Sequence, residues 1–362
     1  MKNIISKKLL VNLIAMLSLN LICVIAATAQ TVEFPIHADD LKPGERVFTV
    51  VHGVSDPAQT GAKDLRIVRR VADNNWKLLK EGQTDDTVNS NYLIYGRPVY
   101  AMASGTVIGC WRNAPENTGH SQRPEVLGSR KIYLQGNHLW IKQADGTIAL
   151  YAHAPTGDIP ASLCPNNGVF LKGTAAGGPI WTDPEAVVKN GATVTAGQLL
   201  YHVGNSGNSS EPHLHVHIVD NTNAWQPMKF ARGQTQPFNN NSASLNGPWT
   251  GLKGNALPMA TILVWAPHPI GNWTYNGIPV ANYQSIFDHF VDSGEMADTV
   301  SCSNNGAVYN TTWVPAKGSW VSHHSMSIID YAVKNAQYVS QGYKQTSVYT
   351  CGTVMAAIWR KP

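Results

Sequence analysis

The sequence has little charge, few cysteines and no long apolar run after its first thirty residues. Charged residues make up 14% of its 362 residues. The formal net charge of +4 includes Lys2, Lys7 and Lys8, and the chain without these lysines carries +1. A chain without a basic excess lacks the electrostatic footprint of a nucleic-acid-binding protein. The later segments are too polar to span a bilayer, which takes about 20 apolar residues. We therefore expect no nucleic-acid partner and no stable membrane anchor in the mature chain.

The N-terminal residues predict an export signal that is removed as residues 1–29. Lysines at the start are followed by an apolar run from Leu9 to Ile25, and the small residues Ala27 and Ala29 stand where a signal peptidase cleaves. A membrane anchor is the alternative, but the run is short for a bilayer and ends in an A-x-A cleavage pattern. The prediction is a secreted or periplasmic protein.

Cleavage of that signal would leave four cysteines, which are Cys110, Cys164, Cys302 and Cys351. In an exported chain this number suggests two disulfides, although free buried thiols are the alternative. Four cysteines allow three sets of pairs. We expect Cys110 to pair with Cys164 and Cys302 with Cys351, because each pair then lies within one predicted domain.

The texture of the sequence predicts a mainly β chain with a small α+β module at its C-terminus. Short strands separated by glycine follow one another, as in "HLWIKQADGTIALYAHA", which reads as a hairpin with its turn at Asp145-Gly146. This pattern favours an antiparallel sheet. The predicted divisions are a β-rich lead-in (30–91), the main β domain (92–231), an Asn/Gly-rich linker or peripheral wrap (232–275) and the C-terminal module (276–362).

The C-terminal module contains an internal repeat. Val291, Gly294 and Val300 recur 48 residues later as Val339, Gly342 and Val348. Each unit reads as an amphipathic helix, a glycine turn and two strands that end in tryptophan. We predict a helix start near Ser327. Five aromatic residues of the module are expected in its core rather than on a glycan-binding surface: Trp313, Trp320, Tyr343, Tyr349 and Trp359.

One short stretch concentrates histidine. In "EPHLHVHIVD", His213, His215 and His217 alternate with apolar residues, so in an extended chain the three imidazoles share one face and the apolar side chains share the other. The pattern is that of a half-buried strand whose imidazoles face a groove or solvent. Alternation alone does not decide between a metal site and a plain strand.

Four stretches in a fixed order carry a resemblance to a known family. They are "PVYAMASGTV", "DGTIALYAHA", "GATVTAGQLLYHVGNSG" and "PHLHVHI". In this combination the main β domain resembles the lysostaphin-type zinc metallopeptidases, which cut peptide bonds in bacterial cell walls. The resemblance implies an antiparallel β-sheet peptidase core. It also implies a secreted metalloendopeptidase whose substrate is peptidoglycan or another peptide.

The resemblance also assigns roles to single residues. His215, the second histidine of H-L-H, would bind zinc, and His213 and His153 would act as catalytic residues beside the metal-bound water. Zinc lowers the pKa of bound water and acts as a Lewis acid, while a nearby imidazole accepts the proton. His217 stands where the family usually has an acidic residue. We expect it to contact the metal-binding residue rather than the metal itself.

The sequence departs from the family at an H-x-x-x-D motif that should precede "GRPVYA". The alignment places Thr87 and Asn91 there, which leaves Asn91 as a poor metal ligand because its amide oxygen carries no charge. Three alternatives stay open: the pair His52 and Asp56 in "HGVSD", Asp85 or Asp86 in another register, and recruitment of His217 or His202.

These alternatives leave three functions open. The first is a zinc endopeptidase. The second is a catalytically degenerate homologue that binds wall peptides or regulates a partner hydrolase. The third is a structural or adhesion module formed by the repeats, which resemble bacterial tandem-repeat units found beside serine-hydrolase-like domains in secreted proteins. That second resemblance implies an α+β accessory module without known chemistry.

Overall fold

The structure is a computed structural model that describes residues 31–51, 59–72, 75–120, 126–127, 130–172, 178–239 and 243–362. The predicted export signal and the pair His52 and Asp56 lie outside these residues. No helix in the described ranges is long and apolar enough to cross a membrane.

Short strands make up most of the described chain. In chain order, the strands up to residue 265 are β1 (Thr31–Val32), β2 (Glu45–Val51), β3 (Lys63–Ala72), β4 (Asn75–Lys77), β5 (Pro98–Tyr100), β6 (Gly105–Trp111), β7 (Val126–Leu127), β8 (Arg130–Lys131), β9 (Asn137–Gln143), β10 (Ile148–Ala154), β11 (Leu171–Lys172), β12 (Thr193–Val194), β13 (Leu199–His202), β14 (Leu214–Val219), β15 (Trp225–Gln226), β16 (Lys229–Phe230), β17 (Gln234–Pro237), β18 (Thr250–Gly251), β19 (Asn255–Ala256) and β20 (Ile262–Trp265).

The remaining elements form the C-terminal module. They are β21 (Trp273–Pro279), α1 (Val280–Asp292), β22 (Glu295–Ser303), β23 (Val308–Pro315), β24 (Trp320–Met326), α2 (Ile328–Ser340), β25 (Lys344–Cys351) and β26 (Val354–Arg360).

One large antiparallel sheet organises the molecule. Its strand order is β12-β6-β9-β10-β14-β3-β2-β20-β17-β18, with β15 and β4 added beside β14 and β3. The hairpin β9–β10 turns at Asp145-Gly146, as the sequence predicts: Gly146 has φ +88°, a conformation that glycine adopts without a steric penalty. The prediction of a mainly β, antiparallel fold is confirmed.

Alternation along β14 places one face of this sheet in the main core. Leu214, Val216 and Ile218 pack there with residues from β3, β9 and β10, and each is almost fully buried. Tyr151 lies in the same core, and its hydroxyl accepts a hydrogen bond from the main-chain N–H of Met102 at 2.7 Å. The opposite face of β14 is therefore left to the histidines.

Segments predicted to lie outside the main β domain contribute strands to the same sheet. The lead-in supplies β2 and β3, and β3 pairs directly with β14. The Asn/Gly-rich segment supplies β17 and β20, which extend the sheet beyond β2. The sheet thus includes strands from both flanks of residues 92–231, because the edges of a sheet are stabilised when further strands pair with them.

The C-terminal module consists of two successive βαββ units. Each unit has a three-stranded sheet with its last strand in the middle, in the orders β21-β23-β22 and β24-β26-β25. Both helices span 13 residues. α2 starts at the predicted place, where Ser327 and Asp330 form a capping box. The prediction of a small α+β C-terminal module is confirmed.

Aromatic side chains fill the centres of these units unevenly. Trp313 and Trp359 are fully buried, whereas Trp320 and Tyr343 are half-buried. Tyr349 is 46% exposed and therefore does not belong to the core as predicted. β25 is a peripheral strand of its sheet, and Tyr349 stands on it at a register position opposite Ala356, whose small side chain leaves the ring uncovered.

Both predicted disulfides are present. Cys110 in β6 bonds to Cys164, and Cys302 in β22 bonds to Cys351 in β25. The second bond joins the two units of the module across their peripheral strands. Each disulfide therefore ties together segments that are about fifty residues apart in sequence.

Candidate functional site

The histidine strand β14 lies near the centre of the large sheet. It pairs with β10 on one side and with β3 on the other, so that His215 stands opposite Ala152 and Asp64. The imidazoles of His213, His215 and His217 are buried rather than exposed to solvent. Neighbouring strands on both sides thus bring a carboxylate and further side chains to the histidine face.

Asp64 is the carboxylate at this site. Its Oδ1 lies 3.0 Å from Nδ1 of His215 and 3.5 Å from Nε2 of His213. The other ring nitrogen of His215, Nε2, lies 3.0 Å from Nδ1 of His217. The ring of His215 is therefore held between a carboxylate and a second imidazole, an arrangement that fixes its orientation.

His153 reaches the same place from β10. The strand is irregular here, and His153 has φ +70°, a left-handed conformation that is uncommon for a residue with a side chain. Its Nδ1 lies 2.7 Å from the carbonyl oxygen of Ser206, and its ring centre lies 4.6 Å from that of His213. Strained backbone of this kind persists where the surroundings impose it, often at functional sites.

Hydrogen bonds to main-chain carbonyls define the tautomers of two histidines. Nδ1 of His153 faces the Ser206 oxygen, and Nδ1 of His213 lies 2.8 Å from the Glu211 oxygen. A carbonyl oxygen only accepts, so Nδ1 carries the proton in both rings. Nε2 of each neutral ring is then the proton acceptor, and in His213 this atom is the one directed at Asp64.

Burial keeps these two imidazoles uncharged. It lowers the pKa of His153 well below the usual value, and the nearby rings of His213 and His215 lower it further. Burial also lowers the pKa of His213, although the Asp64 carboxylate opposes the shift. Neutral imidazoles at neutral pH are competent both as proton acceptors and as metal ligands.

The histidines open onto a narrow cleft. Its volume is about 60 Å³, and its walls include Gln59, Leu134, Gln135 and Asn208 beside His153, His215 and His217. Amide side chains at the rim supply hydrogen-bond donors and acceptors, while Ala152 leaves the floor open. The cleft has room for a small group beside the rings but not for a bulky side chain.

From the sequence we expect Asn91 to lie beside His215 as a metal ligand. In the structure the carboxylate of Asp64 occupies this position. Asn91 ends a short 3-10 turn, and its Nδ2 donates to the main-chain oxygen of Asp85 at 2.7 Å. Thr87 donates its hydroxyl to Oδ1 of Asp85 at 2.6 Å. Asp85 thus organises a local turn with both residues. The alignment assumed that the motif directly precedes "GRPVYA", whereas β4 and this turn separate Asp64 from it.

Two further candidates pair elsewhere. Asp86 lies 3.1 Å from Nε2 of His120, and His202 lies 3.1 Å from Asp158. Sequence reasoning missed Asp64 because no complete H-x-x-x-D motif surrounds it. The available signal was its place at the start of the alternating strand "KDLRIVRRV", which a search for a partner strand to H-L-H would have included.

The residues present fit a zinc site in part. A catalytic zinc takes three protein ligands, and two ligands of a tetrahedral ion lie about 3.4 Å apart when each bond is about 2.1 Å. Nδ1 of His215 and Oδ1 of Asp64, at 3.0 Å, are suited in chemistry and spacing to be two of them. Among the described residues, three ligand atoms of His, Cys, Asp or Glu lie within 4.8 Å of one another at one place, which is formed by His37, Asp39 and Asp40 and not by the histidine site. The third ligand at His215 is thus not supplied by a converging side chain of those residues.

Comparison with known proteins gives one match to a family model. The model of the polyglycine hydrolase-like structural repeat matches residues 317–362, which cover the second βαββ unit. Whether the first unit belongs to the same family stays a prediction.

Several solved peptidase structures are similar to parts of the chain. The catalytic domain of the antimicrobial peptidase lysostaphin from Staphylococcus simulans is 18% identical, with 53% of this chain and 92% of that chain covered and a TM-score of 0.24. A zinc-containing peptidase from Vibrio cholerae is also 18% identical, with coverages of 54% and 39% and a TM-score of 0.24. Lysostaphin itself is 13% identical, with coverages of 91% and 92% and a TM-score of 0.26. All three TM-scores are low.

Proposed function

We propose that this protein is a secreted, cell-wall-directed endopeptidase that hydrolyses peptide bonds of peptidoglycan with the help of zinc. The observation that carries the proposal is the convergence of imidazoles from β10 and β14 on one carboxylate from β3. Asp64, His213 and His215 are linked by distances of 3.0 and 3.5 Å, and the ring of His153 packs at an angle against that of His213 from the other strand.

His215 and Asp64 would hold the metal. Bound zinc would supply a water of lowered pKa and a Lewis acid for the scissile carbonyl. The protein's own contribution is to hold the ligand ring in one orientation: His217 contacts Nε2 of His215 and leaves Nδ1 on the Asp64 side. Contacts behind a ligand typically change metal affinity or activity by about 10- to 100-fold.

His153 and His213 would handle the proton. Each ring is neutral and held through Nδ1 by a main-chain carbonyl, so each presents Nε2 as an acceptor. Such a nitrogen can take a proton from an attacking water and return it to the leaving amine, a role that contributes about 10²- to 10⁴-fold. Once it has taken up that proton, the Nε2–H of such a ring can donate a hydrogen bond to the developing oxyanion.

The dimensions of the cleft favour a peptide with small side chains. At about 60 Å³ it is far smaller than the pockets of about 300 Å³ or more that enclose a drug-sized ligand. Gln59, Gln135 and Asn208 along its walls offer hydrogen-bonding groups to a peptide main chain. A glycine- or alanine-rich cross-bridge would approach the imidazoles without a steric clash.

The experiment is metal analysis combined with digestion of purified peptidoglycan. We expect the mature chain to retain about one zinc per molecule after dialysis and to release new amino groups in a chelator-sensitive reaction. His215→Ala should lose both zinc and activity, whereas His153→Ala should keep zinc and lose activity. His202→Ala is the matched control, because His202 pairs with Asp158 outside the cleft.

A second candidate function is peptide binding without hydrolysis. The observation in its favour is that both ring nitrogens of His215 already have partners, Asp64 at Nδ1 and His217 at Nε2, each at 3.0 Å. A protein of this kind would bind wall peptides but release no amino groups at any zinc concentration. Saturable binding of wall peptides without release of new amino groups would therefore support the binding function and contradict the endopeptidase function.

A further inference from the structure

A second cleft lies where the C-terminal module meets the large sheet. We call it the junction cleft. Its walls come from residues 38–46, Leu245 and Asn246, β20, β21 and α1, and its volume is about 320 Å³. This volume falls in the range of about 300–1,000 Å³ that is usual for small-ligand pockets. The junction cleft shares no lining residue with the cleft at His215.

Arg46 is a buried cation in the wall of this cleft. Its side chain is 8% exposed, and its guanidinium carbon lies 4.0 Å from the ring centre of Trp265. Nη1 donates to the main-chain oxygen of Glu45 at 2.7 Å. Within the described ranges Nε has no hydrogen-bond partner and no carboxylate forms an ion pair with Arg46. The adjacent Glu45 carboxylate pairs instead with Arg97 at 2.9 Å.

His289 in α1 faces the same cleft and also lacks polar contacts. Its ring stacks on Trp265 with the ring centres 4.1 Å apart and is 1% exposed. Neither ring nitrogen has a hydrogen-bond partner in the part of the chain that the structure describes. Burial lowers the pKa of His289 well below its usual value, so the neutral ring offers one donor and one acceptor.

Buried polar groups without partners are costly, and buried charges are normally paired. Here two such groups pack on one indole ring and line one cavity, which means that a molecule in the cavity would complete their contacts. The guanidinium presents its edge, because its face lies on Trp265. A planar carboxylate matches that edge with two parallel hydrogen bonds.

The charged side chains of the cavity favour a ligand with one negative charge over a ligand with two. Arg46 is its buried cation, while the Asp39 and Glu45 carboxylates also belong to its walls. A phosphate would bring about −1.5 to −2 charges at pH 7, against a single guanidinium. Tyr275 and Phe290 provide apolar contact area, and Asn246 and Asn282 can hydrogen-bond an amide.

We propose that the junction cleft binds a small carboxylate, with the chemistry of a short peptide that has a free C-terminus, through Arg46 and His289. The carboxylate pairs with the guanidinium edge, and His289, on the other face of Trp265, forms a hydrogen bond with an amide of the same peptide. This binding is independent of hydrolysis at His215, so it holds for an enzyme and for a binder alike.

The test is calorimetric titration of the mature protein with N-acetylglycylglycine, its C-terminal amide and inorganic phosphate. We expect saturable binding of the carboxylate, with the amide and phosphate each at least about tenfold weaker, because neither matches the buried guanidinium. Arg46→Gln should lower the affinity for the carboxylate by at least about tenfold. Arg46→Lys should lower this affinity less, because the positive charge is kept. The bound carboxylate should also change tryptophan fluorescence, since Trp265 touches both residues.

Two further variants separate recognition from folding. His289→Phe keeps the stacking on Trp265 but removes both nitrogens, and it should weaken the carboxylate several-fold. Arg69→Gln, an arginine on β3 that does not line the cleft, should bind as the unchanged protein does. Circular dichroism shows whether each variant is folded. If Arg46→Gln does not fold, Arg46→Lys takes its place in the binding test.

Three results would overturn the proposal. One is the absence of saturable carboxylate binding up to about 10 mM, which is weaker than any useful recognition. Another is equal affinity for the acid and its amide. The third is unchanged binding in folded Arg46→Lys and His289→Phe.

Discussion

Asp64 and the four imidazoles around it illustrate how burial and single contacts set chemistry at the residue scale. Each ring of the site is held by a defined partner: a carbonyl for His153 and His213, a carboxylate for His215, and the ring of His215 for His217. The main-chain contacts leave Nε2 as the acceptor atom of His153 and His213. In each of these two rings, the carbonyl contact thus decides which nitrogen is able to accept a proton.

We predict that Asp64→Asn lowers zinc affinity by at least about tenfold, because the substitution removes the charge of a proposed ligand and keeps its size. The measurement is zinc titration against a competing chelator. Asp158→Asn is the control, since Asp158 forms an equivalent pair with His202 at 3.1 Å outside the cleft. Equal zinc affinity in the Asp64 variant and the unchanged protein would remove Asp64 from the metal site.

Burial also acts on a carboxyl group far from the histidines. Glu295 begins β22, is 1% exposed, and has its pKa raised by burial from 4.5 to about 8, although Arg232 opposes the shift. Because the folded state holds the proton more tightly than the unfolded state, the free energy of unfolding falls as the pH rises from about 4.5 to about 8. At about 1.4 kcal/mol per pKa unit, a shift of this size corresponds to a fall of about 5 kcal/mol.

Glu295→Gln should remove this pH dependence, because an amide does not titrate. Urea unfolding at about pH 5 and about pH 8.5 should give a smaller difference for the variant than for the unchanged protein. Glu81→Gln is a suitable control, since the Glu81 side chain is 87% exposed. A difference that persists in Glu295→Gln would assign the pH dependence to other groups.

At the scale of elements, the position of His153 depends on two loops that touch. The main-chain oxygen of Gln135 accepts from the N–H of His153 at 3.1 Å, and the oxygen of Ser206 faces its ring. Gly136 has φ +60°, and a Cβ on it would overlap the main chain of Ser206. The close approach of these loops therefore requires glycine at this position.

We predict that Gly136→Ala destabilises the fold by at least about 2 kcal/mol and lowers activity more than the loss of folded protein explains, because the loops that hold His153 must separate. The measurements are urea unfolding and activity per folded molecule. Gly157→Ala is the matched control: Gly157 has φ +75°, but a Cβ on it meets no atom within 4 Å. Similar losses in both variants would mean that backbone strain, and not the close approach, is responsible.

At the scale of the whole molecule, the C-terminal module is attached to the sheet by polar and stacking contacts. Nη1 of Arg232 donates to the main-chain oxygens of His268 and Ser293 at 2.7 Å. The ring of His268 stacks on Phe290 of α1, with the planes 2° apart. His268 and Phe290 also line the junction cleft, so the two parts of the chain jointly form its walls.

The disulfide between the two repeat units should stabilise the module strongly. Cys302 and Cys351 enclose a loop with a sequence separation of 49 residues, for which loss of chain entropy in the unfolded state predicts about 4 kcal/mol. We expect Cys302→Ser/Cys351→Ser to unfold the module at lower urea, with little effect on the β domain. The matched variant Cys110→Ser/Cys164→Ser should unfold the β domain at lower urea, with little effect on the module. A single shared transition shifted equally by both changes would contradict this independence.

The sequence by itself determined those features that depend on local pattern. Alternation in "HLHVHIV" predicts that Leu214, Val216 and Ile218 face the core, and the recurrence of Trp313 as Trp359 marks the two units of the module. The stretch "SMS" predicts a helix start near Ser327, where α2 begins. In each case neighbouring residues carry the whole signal.

Only the tertiary structure decided which distant residues meet. Asp64 stands opposite His215 because β3 pairs with β14 in one register, and a shift by one residue would have turned Asp64 to the other face. Arg46 and His289 likewise meet at Trp265 through the packing of the module on the sheet. Pairings of this kind are set by the burial of whole faces between segments far apart in the chain, and no short stretch of sequence contains that information.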